Sequence, residues 1–392
     1  MDFKFPKFSG QKFDIEAATI LLTLAGSRSY GTDNPESDTD YKGILIPPRE
    51  VIISPFRNFE QVMWKGDGLT GRVSEIAGME EADEEGVIYG LDKFASLAAS
   101  CNPNVIETLF VDEKHVAHVT PEGKLLRANR DLFLSNRAVA KFEGYAMSQL
   151  KRIRTHKGWL DDPPLCLPTR EEFDLSESCR IPHDQMRAAL TFAEKNIETF
   201  APWLLDADNT YREAFWEGIG NILLILAEEN GITYDVDSRS WLEIQEEAVF
   251  AMGSRLGFNS DFMVELRNEK RYAAAKKRWD SYKTWERNRN PARAELEARY
   301  GYDCKHAMHL VRLLRMGKEI LTEGAIQVYR PDREELKAIR NGAWTYEELI
   351  RWAESAKIEM YSIVREGRSV VPDEPDIDQI EKVVMQAYAL AW

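Results

Sequence analysis

Cysteine is scarce. There are four in 392 residues, Cys101, Cys166, Cys179 and Cys304. They are widely scattered and none forms a C-x-x-C pair, so neither a zinc site nor a disulfide framework is expected. Reduced thiols of a cytoplasmic protein are the reading that remains. No apolar run reaches the ~18–20 residues that would span a bilayer, so no membrane partner is expected. The opening MDFKFPKFSG has no long apolar core, so a signal peptide is not expected. Positive charge is also in deficit: 51 Lys and Arg stand against 66 Asp and Glu, a net charge of −15. Bulk attraction to nucleic acid is thereby excluded, and any such contact must come from a local basic surface. What is present is ordinary for a globular protein with a sizeable core: 44% hydrophobic and 30% charged residues, with ten Trp, 17 Phe and 14 Tyr. The length suits two domains of roughly 100–200 residues each.

The first third reads as mixed α/β. Thr19–Ala25 is a short apolar run ending at Gly26, as in a buried strand. Asp38–Ile46 reads as a second strand stopped by Pro47-Pro48. Val51–Ile53 and Phe59–Trp64 are expected as further strands. The stretch 65–86 is polar and Gly-rich, with Glu80, Glu81, Asp83, Glu84 and Glu85 together; such runs are commonly solvated. Gly86–Tyr89 leads into an amphipathic helix at Asp92–Ala99. Beyond about Pro121 long helical patterns take over: Arg137–Thr155, Gln185–Phe200, Asn209–Glu229, Asp261–Arg289 and Lys305–Leu321. Asp161–Arg180, rich in Pro and charge, reads as a connecting loop. The fold class is α+β, a mixed-sheet domain over 1–125 followed by a mostly helical domain over 126–392.

The stretch LLTLAGSRSYGTDNPESDTDYKGILI carries the chemistry. An apolar strand ends in Gly26-Ser27, ten residues intervene, and Asp38-Thr39-Asp40 opens another strand. Alternation along that strand puts Asp38 and Asp40 on one face. Two adjacent carboxylates repel each other unless a cation lies between them, and Mg²⁺ or Mn²⁺ takes such oxygen ligands together with phosphate oxygens. Gly26 lets the backbone amides near Ser27 approach a triphosphate, and a helix starting there would favour the anion further. Arg28 offers a bidentate phosphate contact or, equally, a surface salt bridge. The bland reading is a capped turn after Asn34-Pro35.

This combination of small-residue turn, spacer and acid–any–acid strand resembles the signature of the DNA polymerase beta superfamily of nucleotidyltransferases. Gly26-Ser-Arg-Ser-Tyr-Gly-Thr and Ser37-Asp-Thr-Asp-Tyr-Lys-Gly resemble the RNA-ligase-associated, RNA-repair group whose relatives are frequent in phages. So do Tyr89-Gly-Leu-Asp-Lys-Phe, Asn102-Pro-Asn-Val-Ile-Glu-Thr-Leu-Phe, Gly144-Tyr-Ala-Met-Ser-Gln-Leu, Gly301-Tyr-Asp-Cys-Lys-His-Ala-Met-His-Leu-Val-Arg-Leu and Ile339-Arg-Asn-Gly. The resemblance implies a polymerase-beta-like N-terminal domain and a third acid just before Tyr-x-Leu-x-Lys-Phe. That register lands on Glu85, where the group usually has Asp; Glu84 and Asp83 are its neighbours. It also implies in-line nucleotidyl transfer with two metal ions, held by Asp38, Asp40 and Glu85, with an NTP as substrate and pyrophosphate leaving. Gly26 and Ser27 would cradle the β- and γ-phosphates.

Two further groups complete the reading. Lys305, His309 and Arg312 share one helical face by i, i+4, i+7 spacing, either as a triphosphate or acceptor surface or as a packed helix with satisfied histidines. His306 and His309 permit a metal pair but lack a third ligand. Arg267–Arg293 interleaves bases, Lys276, Lys277 and Arg278 among them, with Tyr272, Trp279, Tyr282 and Trp285. This suits nucleic acid, or a solvated helix with its rings inward. A second basic segment holds Lys141, Lys151, Arg152, Arg154, His156 and Lys157. The function expected is NMP transfer from an NTP to an acceptor hydroxyl, an RNA or tRNA end in repair. The alternatives are nucleotidylation of a protein or small molecule, and a catalytically silent nucleotide- or RNA-binding protein.

Overall fold

In a computed structural model of the chain, the described residues are 13–35, 37–57, 59–65, 85–179, 181–200, 249, 252–253, 255–289 and 291–392. The expected helix 209–229, and Glu80, Glu81, Asp83 and Glu84 of the acidic run, lie outside them. Two compact units divide the chain, one formed by Met1–Asp161 with Asn290–Trp392 and the other by Asp162–Arg289.

The first unit is built on a five-stranded sheet. Its strands are β1 (Thr19–Ala25), β2 (Asp40–Leu45), β3 (Gln61–Lys65), β4 (Glu85–Gly90) and β5 (Val116–Val119), in the order β3-β4-β2-β1-β5. β1 is buried at all seven positions, as expected of an apolar strand paired on both sides. It runs antiparallel to β2 and β5, β3 is antiparallel to β4, and β2 and β4 are parallel. Alternation sends Leu22, Leu24, Tyr41, Leu45, Val62, Trp64 and Ile88 to a small core on one face. Leu21 and Ile44 join the main core on the other.

The helices of this unit are α1 (Ile15–Ala18), α2 (Gly26–Tyr30), α3 (Arg49–Ile53), α4 (Leu91–Ala99), α5 (Pro103–Phe110), α6 (Pro121–Ala128) and α7 (Arg137–Asp161). Val51–Ile53, expected as a strand, is part of helix α3. Pro47-Pro48 ends β2, and Pro48 then stands at the N-cap of the new helix with Glu50 in its first turn. Across the intervening second unit the chain adds α10 (Pro291–Tyr300), α11 (Cys304–Glu323), α12 (Arg333–Arg340), α13 (Tyr346–Arg365) and α14 (Ile377–Ala391). α11 packs along α7, and both contribute to the core that holds Leu21 and Ile44. The α+β fold class read from the sequence holds: a mixed sheet first, then helices.

The second unit contains α8 (His183–Phe200) and α9 (Ser260–Arg287). Ile181, Met186, Met263 and Leu266 form its described core. Asn259 caps α9 by accepting from the Asp261 N–H at 2.7 Å. Arg170 pairs with buried Glu269 and lies over the Tyr272 ring.

Candidate active site

Asp40 opens β2 between two partners in register: Ala25 at the end of β1 and Glu85 at the start of β4. Since β2 and β4 are parallel, residues paired in register project to the same face, so the two acids stand side by side. Asp38 was expected on the strand with Asp40. Ladder pairing begins two residues later, and Asp38 is an exposed residue just before it. The Glu85 N–H donates to the Thr39 carbonyl at 3.2 Å, while the Asn34–Ser37 turn holds the chain ahead of it. Asp38 remains close enough for its charge to act on Asp40. Burial first, then a hydrogen bond with Glu85 and the charges of Glu85 and Asp38, push the Asp40 carboxyl up to about 6. Asp40 and Glu85 are two crowded hard oxygen donors, one of them inclined to keep its proton, a pair that suits a divalent cation. Asp38 acts on Asp40 by its charge and is not gathered with the pair: among the described residues, the trio whose ligand atoms lie within 4.8 Å of one another is His156, Asp303 and His306.

Gly26 sits at φ +63°, and a Cβ there would overlap Asp40 Oδ2. Only glycine brings the turn this close to the acid without strain. The helix that starts at Gly26 has five residues, too short to add a useful macrodipole. The Arg28 guanidinium donates to the Ser37 carbonyl at 2.9 Å and to the Asp38 carbonyl at 3.4 Å. Lys42 follows Asp40 at the next position on the same face, and burial lowers its pKa.

Asp40, Glu85 and Gly26 border a cleft of about 770 Å³, and Arg152, Lys305 and His309 lie on its walls. Arg293, His306 and Arg312 line it too. Burial and then the charges of Arg312, His306, Lys305 and Arg293 hold His309 well below the ordinary histidine pKa, so it is neutral at pH 7. Lys305 is exposed. Partial desolvation at the cleft wall, then the charges of Arg293 and Arg340, nonetheless lower its pKa against the pull of Asp38 and Asp303. The i, i+4, i+7 face thus borders the cleft as a whole, but its members differ. Arg312 is 5% exposed, bonds to Glu107 at 2.7 Å and lies 3.8 Å over the Tyr30 ring. The Tyr30 hydroxyl donates to the same Glu107 at 2.5 Å. Arg312 is therefore already committed, to the helix that follows the Gly-Ser turn.

His306 finds its companions in Asp303 and His156, which pattern reading missed because α7 and α11 meet only in the fold. Asp303 caps α11 by accepting from the His306 N–H at 3.1 Å. It also takes Arg293 Nη2 at 2.7 Å and His156 Nδ1 at 3.3 Å. Burial opposes its ionisation, but the His156 bond and the charges of His306 and Arg293 hold its carboxyl below the usual range. The ligand atoms of His156, Asp303 and His306 lie within 4.8 Å of one another. Arg293 already supplies a cation to that carboxylate, so the cluster reads as an ion-paired anchor for α10, α7 and α11. Lys42, Glu107 and Arg340 lie in segments quoted for the family resemblance but carried no assigned role; Lys42 also had the i+2 spacing from Asp40 as a signal.

In the second unit, Arg278 donates to the Asp162 carbonyl at 2.8 Å and to its carboxylate at 3.0 Å. Lys276 and Lys277 are exposed and border a hollow of about 590 Å³. Trp279, Tyr282 and Trp285 follow one another along α9, half-buried, with Lys283 and Arg289 against their rings.

Residues 8–160 match the RlaP family, described as the RNA repair pathway DNA polymerase beta family. An uncharacterized 38.9 kDa protein encoded in the nrdC-mobD intergenic region of Enterobacteria phage T4 is 29% identical over 137 residues. That alignment covers 34% of this chain and 38% of the phage protein. No solved structure matches the chain. The resemblance read from the Gly-Ser turn and the acid pair holds over the matched residues, which include the whole five-stranded sheet.

Proposed function

We propose that this chain, whose residues 8–160 carry the pattern of the RNA repair pathway DNA polymerase beta family, is a divalent-metal-dependent nucleotidyltransferase that moves NMP from an NTP to an RNA or tRNA end. The observation that carries the reading is the register of Asp40 between Ala25 and Glu85. It brings two carboxylates together beside the Gly26 turn, with Asp38 near them. Asp38, Asp40 and Glu85 would hold Mg²⁺ or Mn²⁺. When bound, such ions lower the pKa of an attacking hydroxyl and offset charge on the attacking and leaving oxygens.

The chain's own groups supply the remainder. Gly26 leaves room for a phosphate to approach the turn, where Ser27 would offer its hydroxyl and amide. Lys305 and neutral His309 donate to the triphosphate from the opposite wall, Lys305 as a charge and His309 as a hydrogen-bond donor. Arg152 extends the cationic lining, which orients the polyphosphate and offsets the negative charge of the acids. Arg312 acts from behind, holding Tyr30 and thereby the turn. Lys276 and Lys277 are the proposed acceptor contacts; the aromatic strip beside them supports a single-stranded nucleic acid over a protein acceptor.

The test is incubation with each labelled NTP, Mg²⁺ or Mn²⁺ and a pool of RNAs, followed by a denaturing gel. Labelled RNA dependent on metal supports the reading. Label on the protein itself moves it to the protein-modifying class, and absence of any label with intact NTP binding moves it to a silent binder.

A further inference from the structure

The motif Ile339-Arg-Asn-Gly has no part in the chemistry above, and it lies far outside residues 8–160. It closes α12, whose Leu336 and Ile339 are fully buried in the main core. Its Arg340 is half-buried at the helix end and donates through Nη1 to the Thr32 carbonyl at 3.2 Å. Thr32 belongs to the segment that joins the Gly-Ser turn to the acid pair.

That segment needs external support. Asp38 lies outside the ladder and its carboxylate has no hydrogen-bond partner among the described residues, so only the main chain places it. The main chain is held at both ends. At the near end the Arg330 N–H donates to the Tyr30 carbonyl at 3.1 Å, and Arg340 takes Thr32. Gly31, at φ +71°, sits where a Cβ would lie 2.6 Å from Tyr329 Cε2. At the far end Arg28 binds the Ser37 and Asp38 carbonyls. A buried core helix thus braces one end of the segment, and a guanidinium from the turn itself braces the other.

We propose that Arg28 and Arg340 are positioning residues that fix Asp38 for metal binding, Arg28 directly through the Asp38 carbonyl and Arg340 through Thr32. The proposal rests on the reading of Asp38 and Asp40 as metal ligands. Neither arginine touches the metal or the substrate in this role. Charge-assisted bonds to carbonyls fix geometry, and outer-shell partners of ligands typically carry about 10–100-fold of metal affinity.

The experiment is titration of the full chain with Mn²⁺ alone, read by electron paramagnetic resonance, with thermal unfolding measured on the same samples. Wild type, Asp40→Asn, Arg28→Met, Arg340→Met and Arg340→Lys are compared. The expected result is Mn²⁺ binding that Asp40→Asn removes and that both Met variants weaken about tenfold. Arg340→Lys, which keeps one donor, should recover most of the loss. It also serves as the comparison if Arg340→Met unfolds early. Asp40-dependent binding that is equal in wild type and in the Arg28 and Arg340 variants overturns the positioning role and leaves the active-site reading standing. Absence of Asp40-dependent binding in wild type overturns that reading, and the positioning role with it.

Discussion

Gly26 lies against Asp40 so closely that a Cβ on residue 26 would overlap Asp40 Oδ2 and lie 3.0 Å from its Cγ. The backbone of Gly26 is also in the left-handed region, at φ +63°. The turn and the acid are therefore one unit. Gly26→Ala meets two penalties, a left-handed conformation costing about 1–3 kcal/mol and a displaced Asp40 side chain. Displacement of a reacting group by an ångström costs about 100-fold in rate. Transfer should fall by about that factor while the chain stays folded, with the loss of stability read by urea denaturation. Wild-type activity in Gly26→Ala would show that Asp40 does not need its present position.

The trio Tyr30, Glu107 and Arg312 is buried, and Glu107 is the carboxylate that both the Arg312 guanidinium and the Tyr30 hydroxyl bond to. Glu107→Gln should destabilise the fold by about 3–5 kcal/mol, because Arg312 is left with an uncompensated buried charge. Glu107→Gln combined with Arg312→Met should cost clearly less than the sum of the two single changes. Urea melts of the four proteins supply the cycle; strictly additive costs would mean that the pair does not interact.

Acid should weaken metal binding, and the sign follows from the Asp40 carboxyl. Its pKa stands at about 6 in the fold against an ordinary value of 3.8. Without metal, the folded state binds this proton more tightly than the unfolded state, so this group's contribution to stability declines as pH rises from 3.8 to about 6. A divalent ion must displace the proton below about pH 6, so apparent affinity should drop as pH falls through that value. Mn²⁺ calorimetry at pH 5.5 and 7.5, in buffers of different ionisation heat, should find protons released at the lower pH. Equal affinity with no proton release at pH 5.5 would count against a protonated Asp40.

Lys276, Lys277 and Arg278 bear on the acceptor. Neutralising all three should weaken RNA binding and flatten its salt dependence, since phosphate contacts release counterions. Lys276 and Lys277 should account for most of the effect, because Arg278 is tied to Asp162. NTP binding should be unchanged. Salt titrations of both proteins against one RNA decide, and equal slopes would remove these residues from the acceptor surface.

What the sequence made legible was local. β1 stands at Thr19–Ala25 as its apolar run suggested, and Glu85, which the family resemblance singled out, pairs in register with Asp40. The strand was expected to begin at Asp38 and begins at Asp40, because alternation says which face a residue takes but not where pairing begins. The helix at Arg49–Ile53 has β-branched residues that read as a strand, and Pro48 at its N-cap overrides them. The Lys305, His309 and Arg312 face was visible from its period. That Arg312 is spoken for was not, because its partner Glu107 lies 205 residues away and a pair at that separation leaves no periodic trace. The same applies to Arg340 and Thr32, and to His156 and Asp303.

Parallel reactions with α-labelled and γ-labelled NTP distinguish nucleotidyl from phosphoryl transfer at Asp40 most directly. With Mg²⁺ or Mn²⁺ and acceptor RNA, the α-label should appear in the RNA and the γ-label in pyrophosphate. Asp40→Asn should abolish both while remaining folded, with its stability equal or raised because like-charge repulsion with Glu85 is relieved. Transfer of the γ-label to the acceptor, or undiminished α-label transfer by folded Asp40→Asn protein, would contradict the account.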